Sequence, residues 1–191
     1  MKAFSKLVVT TMVSISLLVG CNPSNDEAIS QSKKIAETAF KEKQMKTTES
    51  TNGIRYYLPK GFNVENEMEN NIILLKGKEE YILFVNPEEP FTSEVVFNEM
   101  KSAKENAETD TFKTNDRFGY ISINPAKDKK FELIVGIGGV KMTTLTSANN
   151  MVENTKDMME IANSVQYANE KDKQTEADLE KKQETDKTAQ G

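Results

Sequence analysis

The chain has 191 residues, with 30 acidic against 25 basic side chains, a net charge of −5, one Cys, and neither His nor Trp. An acidic chain argues against nucleic acid, whose phosphates call for a basic patch, and against a second, electrostatic hold on anionic lipid. Lack of His removes the commonest metal ligand, the commonest general base and any Ser–His pair, and a lone Cys allows no intrachain disulfide, so neither cofactor nor metal is expected.

The opening, MKAFSKLVVTTMVSISLLVGC, places Lys2 and Lys6 before a thirteen-residue apolar run, Leu7 to Val19, diluted by Thr and Ser. Such a run is too short for a hydrocarbon core that needs about 20 residues. A plain secretory signal shares the basic and apolar regions but ends in an A-x-A-like site. Here Leu18-Val19-Gly20-Cys21 stands in its place, followed by polar Asn22-Pro23-Ser24-Asn25. The segment resembles the lipobox of bacterial lipoproteins. That resemblance implies cleavage between Gly20 and Cys21, and a mature chain that begins at lipid-modified Cys21. It also implies a location on the extracytoplasmic face of a cell membrane, and the Lys-rich, Arg-poor composition suits a low-GC Gram-positive source. With two or more acyl chains, at about 0.8 kcal/mol per buried methylene, such an anchor holds stably. Without residues 1–20 the formal charge is −7.

Residues 21–51 are read as the lipidated Cys and a polar spacer. Within it, Asp26 to Lys46 has a helical cast, with Ile29, Ala36 and Phe40 near one face and no Pro or Gly inside. The stripe is thin, and a solvated spacer lifting the domain off the membrane is expected. Lys46 to Gly53 reads as a turn-rich joint. Residues 52–167 then form the expected single domain, of ordinary size for one core.

There the period changes to two. Ile54–Leu58 is a strand stopped by Pro59, and Lys60-Gly61 turns the chain before an extended piece at Phe62 and Val64. Asn71–Leu75 and Tyr81–Val85 flank Lys76–Glu80 as a hairpin with Gly77 in its loop. After Asn86–Pro90, Thr92 or Ser93 is placed to cap a helix over Glu94–Asn106, with Val96, Phe97, Met100 and Ala103 at helical spacing. Thr111–Lys113 resumes extended structure, and Phe118–Ile123 and Phe131–Ile137 make a second hairpin across residues 124–130. Gly136, Gly138 and Gly139 suggest a bulge or tight bend before Val140–Leu145. A last helix, Asn149–Val165, carries Met151, Met158, Ala162 and Val165 as a stripe. Residues 168–191 hold one large apolar side chain, Leu179, and are expected as a disordered or helical charged tail. The order predicts an α+β fold, an antiparallel sheet with helices covering one face.

Tyr56-Tyr57-Leu58-Pro59-Lys60-Gly61-Phe62, followed by a strand pair, a helix, a long meander and a C-terminal helix, resembles the Mog1/PsbP-like fold over about residues 52–167. The likeness implies a non-catalytic binding or assembly role and transfers no site residue.

No motif for chemistry survives inspection. Gly136-Ile137-Gly138-Gly139 lacks phosphate-loop spacing and runs into a strand. Glu79-Glu80 and Glu88-Glu89 are sequence neighbours, which in a strand point to opposite faces. Asp110, Asp116 and Asp128 have no calcium-loop register. Met100, Met151 and Met158 fall on core stripes. Aromatic residues gather in the strands, and Tyr56, Tyr81 and Tyr120 are the first candidates for a binding surface if one sheet face is open. Two readings stand: a lipid-anchored binding or assembly protein with an unknown protein or cell-envelope partner, or a small surface hydrolase built on Ser/Lys or paired carboxylates.

Overall fold

A computed structural model describes residues 23–51, 53–103 and 107–167. The readings made for residues 1–22 and 168–191, the lipobox and the tail, lie outside the described residues. Helix α1 (Asn25–Lys41) begins where Ser24 accepts a hydrogen bond from the Glu27 N–H at 3.2 Å, with Asp26 and Glu27 in its first turn and Lys41 in its last. These satisfy orphan amides and complement the helix dipole. Helix α2 (Val95–Ser102) lies within the predicted span, whose residues 104–106 are outside the described ones, and Ser93 Oγ accepts from the Val95 N–H. Helix α3 covers Ala148–Ser164.

Among the described residues there are also ten strands: β1 (Glu49–Thr51), β2 (Ile54–Tyr56), β3 (Phe62–Met68), β4 (Asn71–Lys76), β5 (Glu79–Val85), β6 (Glu108–Lys113), β7 (Phe118–Pro125), β8 (Phe131–Ile137), β9 (Val140–Thr146) and β10 (Gln166–Tyr167). They form an antiparallel seven-stranded sheet of order β3-β4-β5-β9-β8-β7-β6 and an antiparallel three-stranded one of order β1-β2-β10. The fold is α+β.

The inner face of the large sheet is fully dressed. Leu74, Tyr81, Leu83, Ile121, Leu133 and Met142 project from it onto Met151, Met158 and Ile161 of α3 and Phe40 of α1, all buried. Helix α1 is therefore part of the core, not the solvated spacer its sequence suggested, and the folded unit reaches back to Ser24. Ala28, Ser32, Ala36 and Ala39 are buried along it. Their small side chains let the helix axis come close to its neighbour, so the area lost to a thin stripe is recovered as backbone packing. Phe40 lies against Phe112, ring centroids 5.8 Å apart, and against Gly119, where an added Cβ would stand 2.6 Å from Phe40 Cδ2. Asn163 of α3 donates to the carbonyls of Ala39 and Glu42, and the Arg117 guanidinium donates to Asn163 Oδ1 while lying over the Phe40 ring. This joins the C-terminal ends of α1 and α3.

Helices do not all share one face. α2 lies on the outer face, where Phe97 and Met100 cover Phe118, Tyr120 and Ile134 in a second apolar cluster. The glycine run makes a tight bend between β8 and β9, one of the two forms its sequence suggested. Gly138 has φ +56, and a Cβ there would meet Phe91 Cα at 2.4 Å. The register shift sits elsewhere, in β3 between Val64 and Asn66.

Candidate functional site

Register decides which side chains share the outer face. Ile73 of β4 faces Ile82 of β5, Ile82 faces Thr143 of β9, and Thr143 faces Ile134 of β8. Phe84 pairs in the same way with Lys141, and Glu132 with Leu145. α2 covers the β7–β8 side of this surface only. Across β4, β5 and β9 the strip stays open: Ile82 is 38% and Leu145 52% exposed. α2 supplies one wall through Val96 and Met100, and Lys141 extends over the Phe84 ring, 5.2 Å from its centroid. The result is a shallow groove with an apolar floor and charged margins, the form a macromolecular contact takes.

The tyrosines named from sequence do not lie on it. Tyr56, Tyr81 and Tyr120 are all 0% exposed. Their rings fill the core because a β-strand phenol buries a large apolar area. Tyr56 and Tyr81 have phenols raised well above the ordinary range, in both cases first by burial. Tyr120 packs under α2 against Phe97 and Phe118, and its ring lies across Gly136. The residues that do form the open strip, Ile82, Phe84 and Leu145, were missed. In Tyr81-Ile82-Leu83-Phe84-Val85 every residue is apolar, so alternation cannot tell inside from outside.

Beside this face lies a polar cluster. Glu79 accepts hydrogen bonds from Tyr81 Oη at 2.9 Å and from Asn150 and Asn154 Nδ2 at 3.0 Å each, and Asn154 also donates to Thr146 Oγ1. Burial works to raise the Glu79 pKa, but the bonds from Asn154, Asn150 and Tyr81, with the Lys130 charge, outweigh it and hold the carboxyl below its ordinary value. Because the folded state binds this proton more weakly than the unfolded chain, the contribution is complete above the unfolded pKa. It is lost as pH falls through the lower, folded value. Glu79→Gln is expected to flatten that acidic limb of stability, read by thermal melts across pH. An unchanged limb would show that Glu79 is not held this way. Next to it, Lys76 Nζ contacts Asp157 at 2.7 Å and Glu153 at 2.5 Å, an ion-paired strap from β4 to α3.

A Ser–carboxylate contact exists between Ser93 Oγ and Glu89 Oε2, 2.5 Å. It sits at the start of α2, where Ser93 also accepts from Val95, and ties the 86–93 loop to that helix. Tyr167 closes the same loop, stacked on Phe91 with centroids 5.0 Å apart and donating to the Glu89 carbonyl. Burial, with Glu89 nearby, pushes its phenol up to about 12. Among the described residues no three His, Cys, Asp or Glu side chains gather to hold a metal, and no helix is long and apolar enough to cross a membrane. Gly20 and Cys21 lie outside the described residues.

No protein-family model and no curated protein matches this chain. Among solved structures it is similar to a crystal structure from Bacteroides thetaiotaomicron at 8% identity and a TM-score of 0.39, over 67% of this chain and 50% of that one. The chain thus spans half the length of that structure.

Proposed function

We propose that the protein is a lipid-anchored, non-catalytic binding or assembly protein, held through Cys21 on the outer face of a bacterial cytoplasmic membrane. The observation that carries the binding role is the open strip on the outer sheet face. Exposed Ile82 and Leu145 lie there beside half-buried Phe84, on rigid strands, with α2 as a wall. The anchor reading is supported by Leu18-Val19-Gly20-Cys21 after a short apolar run. A tether raises the local concentration of this face near other envelope components, so a modest interface suffices. The Tyr56-Tyr57-Leu58-Pro59-Lys60-Gly61-Phe62 sequence, which resembles the Mog1/PsbP-like entry, accords with a non-catalytic binding or assembly role.

The test places a photo-crosslinking residue at Leu145 or Ile82 in the native cell, with Lys34 on exposed α1 surface as control. A discrete crosslinked partner is expected at the first two positions only. Leu145→Asp and Ile82→Asp should abolish it while leaving the melting temperature nearly unchanged, since both side chains already face water. Equal crosslinking at Lys34 would sink the assignment of the face. Intact mass of membrane-extracted protein tests the anchor separately: a chain starting at Met1 without added lipid would refute it.

A further inference from the structure

Docking of α1 changes where the domain is tied. The helix is engaged from its first turn: Ser24 accepts from the Glu27 amide through Oγ and from the Ala28 amide through its carbonyl, and Ala28 is fully buried. Further along, Lys33 Nζ holds Glu108 at 2.9 Å and Asp110 at 3.2 Å on β6. The folded unit therefore begins at Ser24, three residues after Cys21. Three residues fully extended span about 11 Å, whereas a free spacer through residue 51 would reach roughly 100 Å.

The direction of α1 places that end relative to the open strip. Phe40 meets Phe112 and Gly119, whereas Lys33 meets Glu108. Glu108 pairs with Ile123, Ile123 with Leu133, and Leu133 with Thr144, so Lys33 stands level with Thr144 along the strands. Leu145 is one residue nearer the β7–β8 turn, and Ser24 lies about 13 Å beyond Lys33 on that side. With the strands upright on a bilayer and the tether extended, Leu145 stands about 20 Å above the lipid and Ile82 less than about 30 Å. Charge at this end is mixed, with Lys78, Lys127 and Lys130 beside Asp26, Glu80 and Asp128, all exposed, so the tether sets the height.

Resting on the anchor and on the outer strip as the binding face, we infer that the strip's occupant is a protein held in the same bilayer, which presents an apolar segment within about 30 Å of the lipid. For a ligand arriving from solution a short tether brings no gain, since the bilayer only blocks approach. For a partner fixed in the same bilayer it matches two heights, and effective concentration falls roughly as the −3/2 power of tether length beyond that match. The floor fits protein side chains better than a wall polymer. Ile82 and Leu145 are exposed aliphatics, Phe84 lies under Lys141, and the chain has no Trp to stack on a sugar ring.

Tether length is the test. In the native cell, a photo-crosslinking residue at Leu145 is read in the full chain and in chains with about 10 or about 30 flexible Gly-Ser residues inserted between Pro23 and Ser24. The insertions leave the Ser24 cap intact, so the melting temperatures should match. The crosslinked partner should stay with the membranes through an alkaline wash, and its yield should fall at least severalfold with the longer insertion. A yield indifferent to tether length, or a partner released by the wash, overturns the inference while leaving the binding face and the anchor standing. No crosslink at Leu145 at any tether length overturns the binding face, and a wild-type chain that leaves the membrane in the same wash overturns the anchor. This inference falls with either.

Discussion

Phe40→Ala is expected to lower stability by about 3–5 kcal/mol and the melting temperature by roughly 10 °C. The ring is fully buried, lies over Gly119, meets Phe112 and carries the Arg117 guanidinium on its face. Removing it opens a cavity at the one place where α1, α3 and the edge of the sheet converge. Gly119→Ala should cost about 1–3 kcal/mol by pushing a Cβ into that ring. Combined with Phe40→Ala it should cost less than the sum, because the clash disappears with the ring. Chemical denaturation of the four proteins reads both effects. A truncation beginning at residue 52 loses the whole helix and should not unfold cooperatively near the parent temperature. Phe40→Ala melting within two or three degrees of the parent would show that α1 is dispensable.

The second expectation concerns a pair on the outer face. A Cβ at Gly136 would stand 2.3 Å from Tyr120 Cζ and 2.4 Å from its hydroxyl. The ring cannot retreat, since Phe97 is 5.2 Å and Phe118 6.3 Å away between centroids. Gly136→Ala should therefore cost about 1–3 kcal/mol, although alanine is the mildest of changes. Tyr120→Phe should do the opposite. The hydroxyl is buried with no hydrogen-bond partner among the described residues, and burial raises its pKa. Removing it should be neutral or stabilising by about 1 kcal/mol, because its desolvation penalty goes with it. A clear loss on Tyr120→Phe in urea melts would show that the hydroxyl has a partner after all.

Local chemistry made much of this fold readable from residues alone. Turn glycines, prolines and the change from a 3.6 to a 2.0 period place most strands and the helical character of all three helices, because each signal acts within a few residues. Met100, Met151 and Met158 fall on their stripes and are buried. What local signals could not carry was partnership. Ala28, Ser32, Ala36 and Ala39 look too small to anchor a helix, and only the close approach of α1 to α3 gives them value. Tyr56, Tyr81 and Tyr120 look like surface candidates until Tyr56 and Tyr81 are placed in the main core and α2 covers Tyr120 on the outer face, and Ile82 and Leu145 look like core until the register turns them out. Lys78 and Lys130, far apart in the chain, come to line one depression with Glu79, Glu80 and Glu132 only when the strands pair. Composition fixes the sum of charge, whereas its distribution between the ends of the molecule follows from which strands are neighbours and which way α1 runs across them, since electrostatic contact depends on distance in space and not along the chain.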